Sequence, residues 1–319
     1  MNELIVRFVN MPKLPHPHPH PQPPLPPPPD TLRLRAAGVH LHVQRAGQGS
    51  PLLLLHGFPD DADLWQPLVP LLSPRHRLWM PDQRGYRHSD KPVLPGDYTI
   101  DVLLADVLAL ADHMHGGAPG RIALAGHDWG GMLAWAFAAR YPQRVERLVI
   151  FNAPHPCRFA ELLRSDAQQR AASAYVQTLC QPGQAALLAA DGHARLRTLM
   201  SRAVPGMRDE DIDALARGWA TPGALPAMLN WYCGLDFNAA VEGAGVPALP
   251  GLGGASGHIE APTLLLWGDQ DGSFVPANLQ GLDRWVPRLQ VRRFAQGGHW
   301  LLREQPAEVA TAMVQFLSA

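Results

Sequence analysis

Arg121-Ile122-Ala123-Leu124-Ala125-Gly126-His127-Asp128-Trp129-Gly130-Gly131-Met132-Leu133-Ala134-Trp135-Ala136 is the stretch that decides the fold. Ile122–Ala125 is an apolar run of strand length, and Met132–Arg140 is a run of helix formers. Between them, glycines flank Asp128 where the backbone must pack closely against itself. A strand, a sharp turn and a helix with a reactive side chain at the tip form a nucleophile elbow. The tip residue is normally Ser. Here it is a carboxylate, so ordinary serine-esterase chemistry is disfavoured. Taken alone, Asp128 could equally be a turn aspartate capping the next helix, and its partners have to decide.

Outward from this stretch, further strand signals repeat. Thr31–Arg35 and Val39–Gln44 alternate around Ala37-Gly38 and predict a hairpin. Pro51–Leu55 is continuously apolar, as a strand buried on both faces should be. Leu78–Met80, Leu148–Phe151, Thr263–Trp267 and Gln290–Phe294 follow, with helical patterns at Val102–Met114 and Pro306–Leu317. Strands alternating with helices predict a mostly parallel α/β sheet covered on both faces. From Cys157 to Asn238 strand signals stop and helical patterns take over, and the Gly/Ala/Pro-rich Gly243–Gly257 reads as a surface loop or hinge. This predicts a helical cap inserted after the sixth strand, over the carboxyl edge where open α/β sheets bind ligands. The expected organisation is a disordered Pro-rich tail over 1–30, a core over 31–156, a cap with its connecting loop over 157–258, and the rest of the core over 259–319.

The 319 residues carry a formal net charge of −1, so charge gives no reason to expect nucleic acid as a partner. No apolar run reaches membrane-span length and no signal-peptide pattern opens the chain. Three cysteines, Cys157, Cys180 and Cys233, are an odd number without metal-ligand spacing. They predict a reducing, cytoplasmic setting and structural roles rather than a disulfide framework. Residues 12–29 hold eleven of the 33 prolines, with His16, His18 and His20 interleaved. That composition predicts a polyproline-like tail.

Two further places carry chemistry. His56-Gly57-Phe58-Pro59 follows the first buried strand, where the Phe58 amide is placed to meet a developing oxyanion together with the Trp129 amide. Gly268-Asp269-Gln270-Asp271 follows a later strand and offers an acid, either aspartate being able to serve as a turn residue instead. His299, in Gln296-Gly297-Gly298-His299-Trp300, follows the last strand. Carboxylate nucleophile, acid and His then occur in the chain order expected of such an elbow protein.

With His56–Pro59, Asp82-Gln83-Arg84-Gly85-Tyr86, Gly126–Gly131, Asn152-Ala153-Pro154-His155-Pro156, Trp267–Asp271 and Gly298-His299-Trp300, residues 31–319 resemble an α/β-hydrolase-fold epoxide hydrolase with an aspartate nucleophile. The resemblance selects Asp271 over Asp269 as the acid. It also implies two cap tyrosines above the nucleophile: Tyr232, within Asn230-Trp231-Tyr232, and Tyr175, ahead of Pro182-Gly183. It implies a small-molecule epoxide and water as reactants, with Trp129 and Trp231 at the substrate and neither metal nor organic cofactor. Apolar candidates for the cap's share of the pocket are Phe159, Met200, Met207, Trp219, Met228 and Trp231, which point to a lipophilic substrate. A haloalkane dehalogenase would share the aspartate ester, but Phe58 stands where that family typically has Asn, and tyrosines suit an alkoxide better than a halide. A non-catalytic binding protein on the same fold would have no need of Asp128, Asp271, His299 and both tyrosines together.

Overall fold

A computed structural model of the protein describes residues 30–234 and 257–319. The strands are β1 (Asp30–Ala36), β2 (Val39–Ala46), β3 (Ser50–Leu55), β4 (His76–Pro81), β5 (Ile122–His127), β6 (Val145–Phe151), β7 (Thr263–Gly268) and β8 (Leu289–Phe294). They form one sheet in the order β1-β2-β4-β3-β5-β6-β7-β8. The pairs β1–β2 and β2–β4 are antiparallel and the remaining pairs parallel.

Burial follows position in the sheet. Leu52–Leu55 of β3 and Leu148–Phe151 of β6 are fully buried, since helices cover both faces of a parallel strand. The outer strands differ. β1 alternates exposed and partly buried residues, and β8 exposes Arg292 and Arg293, charges that discourage pairing with a further strand. Helix Ile100–Met114 packs against helix Trp129–Arg140 and against β1, while Pro306–Ser318 packs against β7.

Between β6 and β7 the chain leaves the sheet through helices Pro156–Ser165, Ala167–Ser173, Tyr175–Leu179, Gln184–Ala203, Asp209–Trp219 and Ala224–Cys233. The second of these is capped by Asp166, whose carboxylate accepts from the Gln168 and Gln169 amides, relieving two otherwise orphaned donors. This is the helical insertion expected after the sixth strand. Residues 1–29 of the predicted Pro-rich tail and all but the last residue of Gly243–Gly257 lie outside the described residues, and Asp30, expected in the tail, begins β1. Among the described residues no helix is long and apolar enough to cross a membrane.

One expectation is overturned. Cys180 and Cys233 form a disulfide across 53 residues of sequence, with Cα atoms 5.4 Å apart, whereas Cys157 is a free thiol. The pairing escapes a count of cysteines because it is a spatial fact. Two helices distant in the sequence end side by side in the insertion.

Candidate active site

The carboxyl ends of the parallel strands gather the predicted Phe58, Asp128, Asp271 and His299, with Asn152 beside them. β3 leads to Phe58, β5 to Asp128, β6 to Asn152, β7 to Asp271 and β8 to His299, the edge at which open α/β sheets bind ligands. Asp128 has φ 52° and ψ −121°, a conformation costly for a side-chain-bearing residue and held only by its surroundings. The surroundings are tight. A Cβ on Gly130 would lie 2.2 Å from the Leu55 carbonyl oxygen, and one on Gly57 2.2 Å from Asp128 Oδ1.

That closeness lets the Phe58 amide donate to Asp128 Oδ1 at 2.8 Å, and the Trp129 amide also bonds the carboxylate. Oδ2 faces His299, whose Nε2 is 3.6 Å away. On the other side of the ring, His299 Nδ1 meets Asp271 Oδ2 at 2.8 Å. Asp271 is itself clamped. Its Oδ1 accepts from the Ser273 amide at 2.7 Å and the Phe274 amide at 3.3 Å, and its Oδ2 accepts from Asn152 Nδ2 at 2.7 Å. Asp269 instead pairs with Arg293 at 2.8 Å on the outside of the sheet.

The charges of this group reinforce one another. Burial opposes ionisation of Asp128, but the hydrogen bond and charge of His299, with His127 and the Trp129 amide, hold its carboxyl below the ordinary range. Burial would also discharge His299. The Asp271 charge, hydrogen bonds to both carboxylates and the Asp128 charge outweigh it and push the imidazolium up to about 10. The neighbouring His127 is lowered to about 4 by burial and by the His299 charge, so it is neutral. Its Nε2 donates to the His299 carbonyl at 2.9 Å.

The inserted helices bring the aromatic residues. The Tyr232 ring packs edge-on to Phe58 at 5.5 Å and to Trp129 at 5.0 Å between centroids. Tyr175 packs edge-on to Tyr232 at 6.2 Å. Burial first, and then neighbouring charges that include Asp128, raise both phenols well above their ordinary value, so both stay protonated at neutral pH. Trp231 is 1% exposed and stands behind this group. Its ring lies 6.3 Å from that of Trp129 and 5.9 Å from that of Tyr86, and its indole donates to the Arg84 carbonyl at 2.9 Å. Trp231 therefore backs the aromatic wall, with its polar edge already committed to the core.

Several residues around the site have contacts that nothing local in the sequence announces, Asn152 among them although it opens one of the matching stretches. Asn152 joins β6 to the acid loop through Asp271 and the Gly268 amide. Asp60 accepts from the Trp300 indole at 2.7 Å and from Arg303 at 2.6 Å, tying the Phe58 loop to the His299 loop. Gln169, buried in the insertion, donates to the Ser273 carbonyl and accepts from the Val275 amide and Asn278 Nδ2. His56 does have a signal, its place before Gly57. Its Nε2 accepts from the Gln83 amide at 3.0 Å while its Nδ1 faces the Gly57 carbonyl, which sets the ring as the Nδ1–H tautomer.

Comparison with known proteins gives this geometry a lineage. Residues 50–306 match the alpha/beta hydrolase fold family. The sequence is 30% identical over 298 residues to Epoxide hydrolase 4 of Mus musculus, covering 88% of this chain and 77% of that protein. It is 30% identical over 286 residues to the AB hydrolase superfamily protein YfhM of Bacillus subtilis, covering 88% and 95% respectively. The crystal structure of Bacillus megaterium epoxide hydrolase in complex with an inhibitor superposes with a TM-score of 0.83 at 31% identity, over 90% of this chain and 100% of that one. The chain therefore belongs to the epoxide hydrolase family of the alpha/beta hydrolase fold.

Proposed function

We propose that the protein hydrolyses a lipophilic epoxide to a vicinal diol through an alkyl ester on Asp128. The observation that carries this reading is the placement of the Tyr232 phenol against Phe58 and Trp129, whose amides hold the Asp128 carboxylate, with the Tyr175 ring beside that of Tyr232. An ionised carboxylate needs no base to attack an sp³ carbon. Ring opening needs a proton for the oxygen that leaves, and the two hydroxyls of the helical cap supply it. These two features make the site suited to a strained C–O bond.

In the first step Asp128 Oδ2, the oxygen not held by Phe58, forms a bond to an epoxide carbon. The C–O bond of the ring breaks and its electron pair takes a tyrosine proton. The His299 imidazolium then returns a proton to the tyrosinate, and in the second step the neutral imidazole, oriented by Asp271, accepts a proton from water as that water adds to the Asp128 carboxyl carbon. The negative charge then falls on Oδ1, where the Phe58 and Trp129 amides already point; each such donor is worth roughly 3 kcal/mol. As the Cγ–Oδ2 bond breaks, the leaving oxygen takes the remaining proton of the added water, which releases the diol with one oxygen from Asp128, leaves a water oxygen in the carboxylate and restores the His299 imidazolium. Phe58, Trp129 and Phe274 surround the reacting atoms with apolar surface, which supports a lipophilic substrate.

The isotope bookkeeping supplies the test. After several turnovers in ¹⁸O water, digestion and mass spectrometry should find label in the peptide that carries Asp128. Label confined to the diol, with none in Asp128, rejects the ester route and leaves direct attack by water.

A further inference from the structure

We propose that the Cys180–Cys233 disulfide is a positioning element for the two cap tyrosines, so that its redox state sets the rate of ring opening. The inference rests on the reading of Tyr175 and Tyr232 as the proton donors. Cys180 closes helix Tyr175–Leu179, and Cys233 is the last residue of helix Ala224–Cys233, directly after Tyr232. The bond therefore joins the two elements that carry the two hydroxyls, and no other pair of helices.

The shorter element needs such a tie. Tyr175–Leu179 has five residues and continues from Ala167–Ser173 through Ala174, whose φ −58° and ψ −27° are helical, so its amino end is held by that helix and Cys180 stands at its carboxyl end, where helices fray. Val176 and Leu179 anchor one face, while Tyr175 is only partly buried. Its partner helix is different in kind, with Ala227, Met228, Leu229, Trp231 and Tyr232 all buried. The disulfide thus fastens the carboxyl end of one helix to a firmly buried one within a few residues of the proposed chemistry. Ring opening asks both hydroxyls to meet one oxygen at the same moment, and a displacement near 1 Å is enough to cost rate.

The bond is also reachable, because Cys180 is exposed and Cys233 only partly buried. A small dithiol can attack Cys180 Sγ as its thiolate. The S–S bond breaks, and the electron pair leaves on Cys233, which takes a proton. The second thiol of the reductant then displaces Cys180 as a thiolate, leaving two protein thiols and an oxidised dithiol, a two-electron exchange. Asp128, His299 and Asp271 stand on core loops outside both helices, so the second, hydrolytic step should not respond.

The experiment compares the protein as purified under air with the protein reduced by dithiothreitol, counting thiols by alkylation and intact mass. Rapid-quench measurements with an aryl epoxide resolve the alkylation and hydrolysis steps. Expected are one free thiol before reduction and three after, an alkylation rate lowered about tenfold with hydrolysis unchanged, and recovery on reoxidation. Cys180→Ser and Cys233→Ser should each behave as the reduced protein and ignore dithiothreitol, whereas Cys157→Ser should keep the full response. Three free thiols before reduction, equal alkylation rates in both states, or equal slowing of both steps would each overturn the proposal. Absence of epoxide turnover in either state would instead reject the underlying enzymatic reading, and the clamp with it.

Discussion

His299 is the residue on which the two proposed steps turn. With two carboxylates beside it, the free protein holds it as an imidazolium, its pKa pushed up to about 10. That charge keeps Asp128 ionised for attack, but an imidazolium cannot accept a proton from water. Esterification of Asp128 removes one of the two anions, and the His299 pKa must then fall. The product of the first step therefore switches on the base for the second. The sign of the pH dependence follows. Alkylation should be flat from mildly acidic to mildly alkaline pH, because Asp128 titrates below that window and His299 and the phenols above it. Hydrolysis of the alkyl-protein should lose rate as pH falls through the lowered His299 value. Single-turnover quench kinetics across pH separate the two limbs, and a hydrolysis rate independent of pH between 5 and 8 would remove His299 from the base role. Asn152 offers a second test at this scale. Its Nδ2 bond to Asp271 is a bond to a charged group, worth about 1.5–3 kcal/mol. Asn152→Ala should therefore slow hydrolysis by about 10–100-fold and leave alkylation nearly unchanged, which the same quench experiment reads.

The elbow is the element that fixes the Asp128 side chain for the proposed attack, and it does so through crowding. Helix Trp129–Arg140 starts so close to β3 that a methyl group at Gly130 would strike the Leu55 backbone. Gly130→Ala should cost about 1–3 kcal/mol, the usual penalty for forcing extra atoms into a packed site, read as a lower urea midpoint with an unchanged slope. An unchanged midpoint would mean that the backbone can yield there. This was also the element most legible in the sequence, because an apolar strand, a glycine-framed turn and a helical run report local geometry. The buried strands were legible for the same reason, Leu52–Leu55 and Leu148–Phe151 being apolar on both faces. What the sequence hides is pairing between distant segments. Nothing local marks Asn152, Asp60 or Gln169 as neighbours of the acid and His loops. Likewise nothing local marks Cys180 as opposite Cys233, where an odd cysteine count argued for free thiols.

Across the whole molecule, one buried ion pair joins layers that the sheet alone does not. Arg84 donates to both oxygens of Asp106 at 2.7 and 2.8 Å and to the Ala37 carbonyl at 3.1 Å, while its own carbonyl holds the Trp231 indole. It thereby connects the first hairpin, helix Ile100–Met114 and the insertion. Asp106→Ala leaves a guanidinium buried without its partner, a loss of about 3–5 kcal/mol. Equilibrium unfolding should show that loss, and a change below 1 kcal/mol would mean that water has taken the place of the carboxylate. The strand order carries a consequence of another kind. β6 and β7 are neighbours in the sheet, yet residues 152–262 lie between them. During synthesis Asp128 and its elbow emerge early, whereas Asp271 and His299 arrive only after the ribosome has passed the entire insertion. A nascent chain thus holds Asp128 before His299 and Asp271, its partners in the proposed mechanism, exist. On the proposed mechanism, activity therefore waits for β7 and β8, and so reports that the two halves of the sheet have found each other across the insertion.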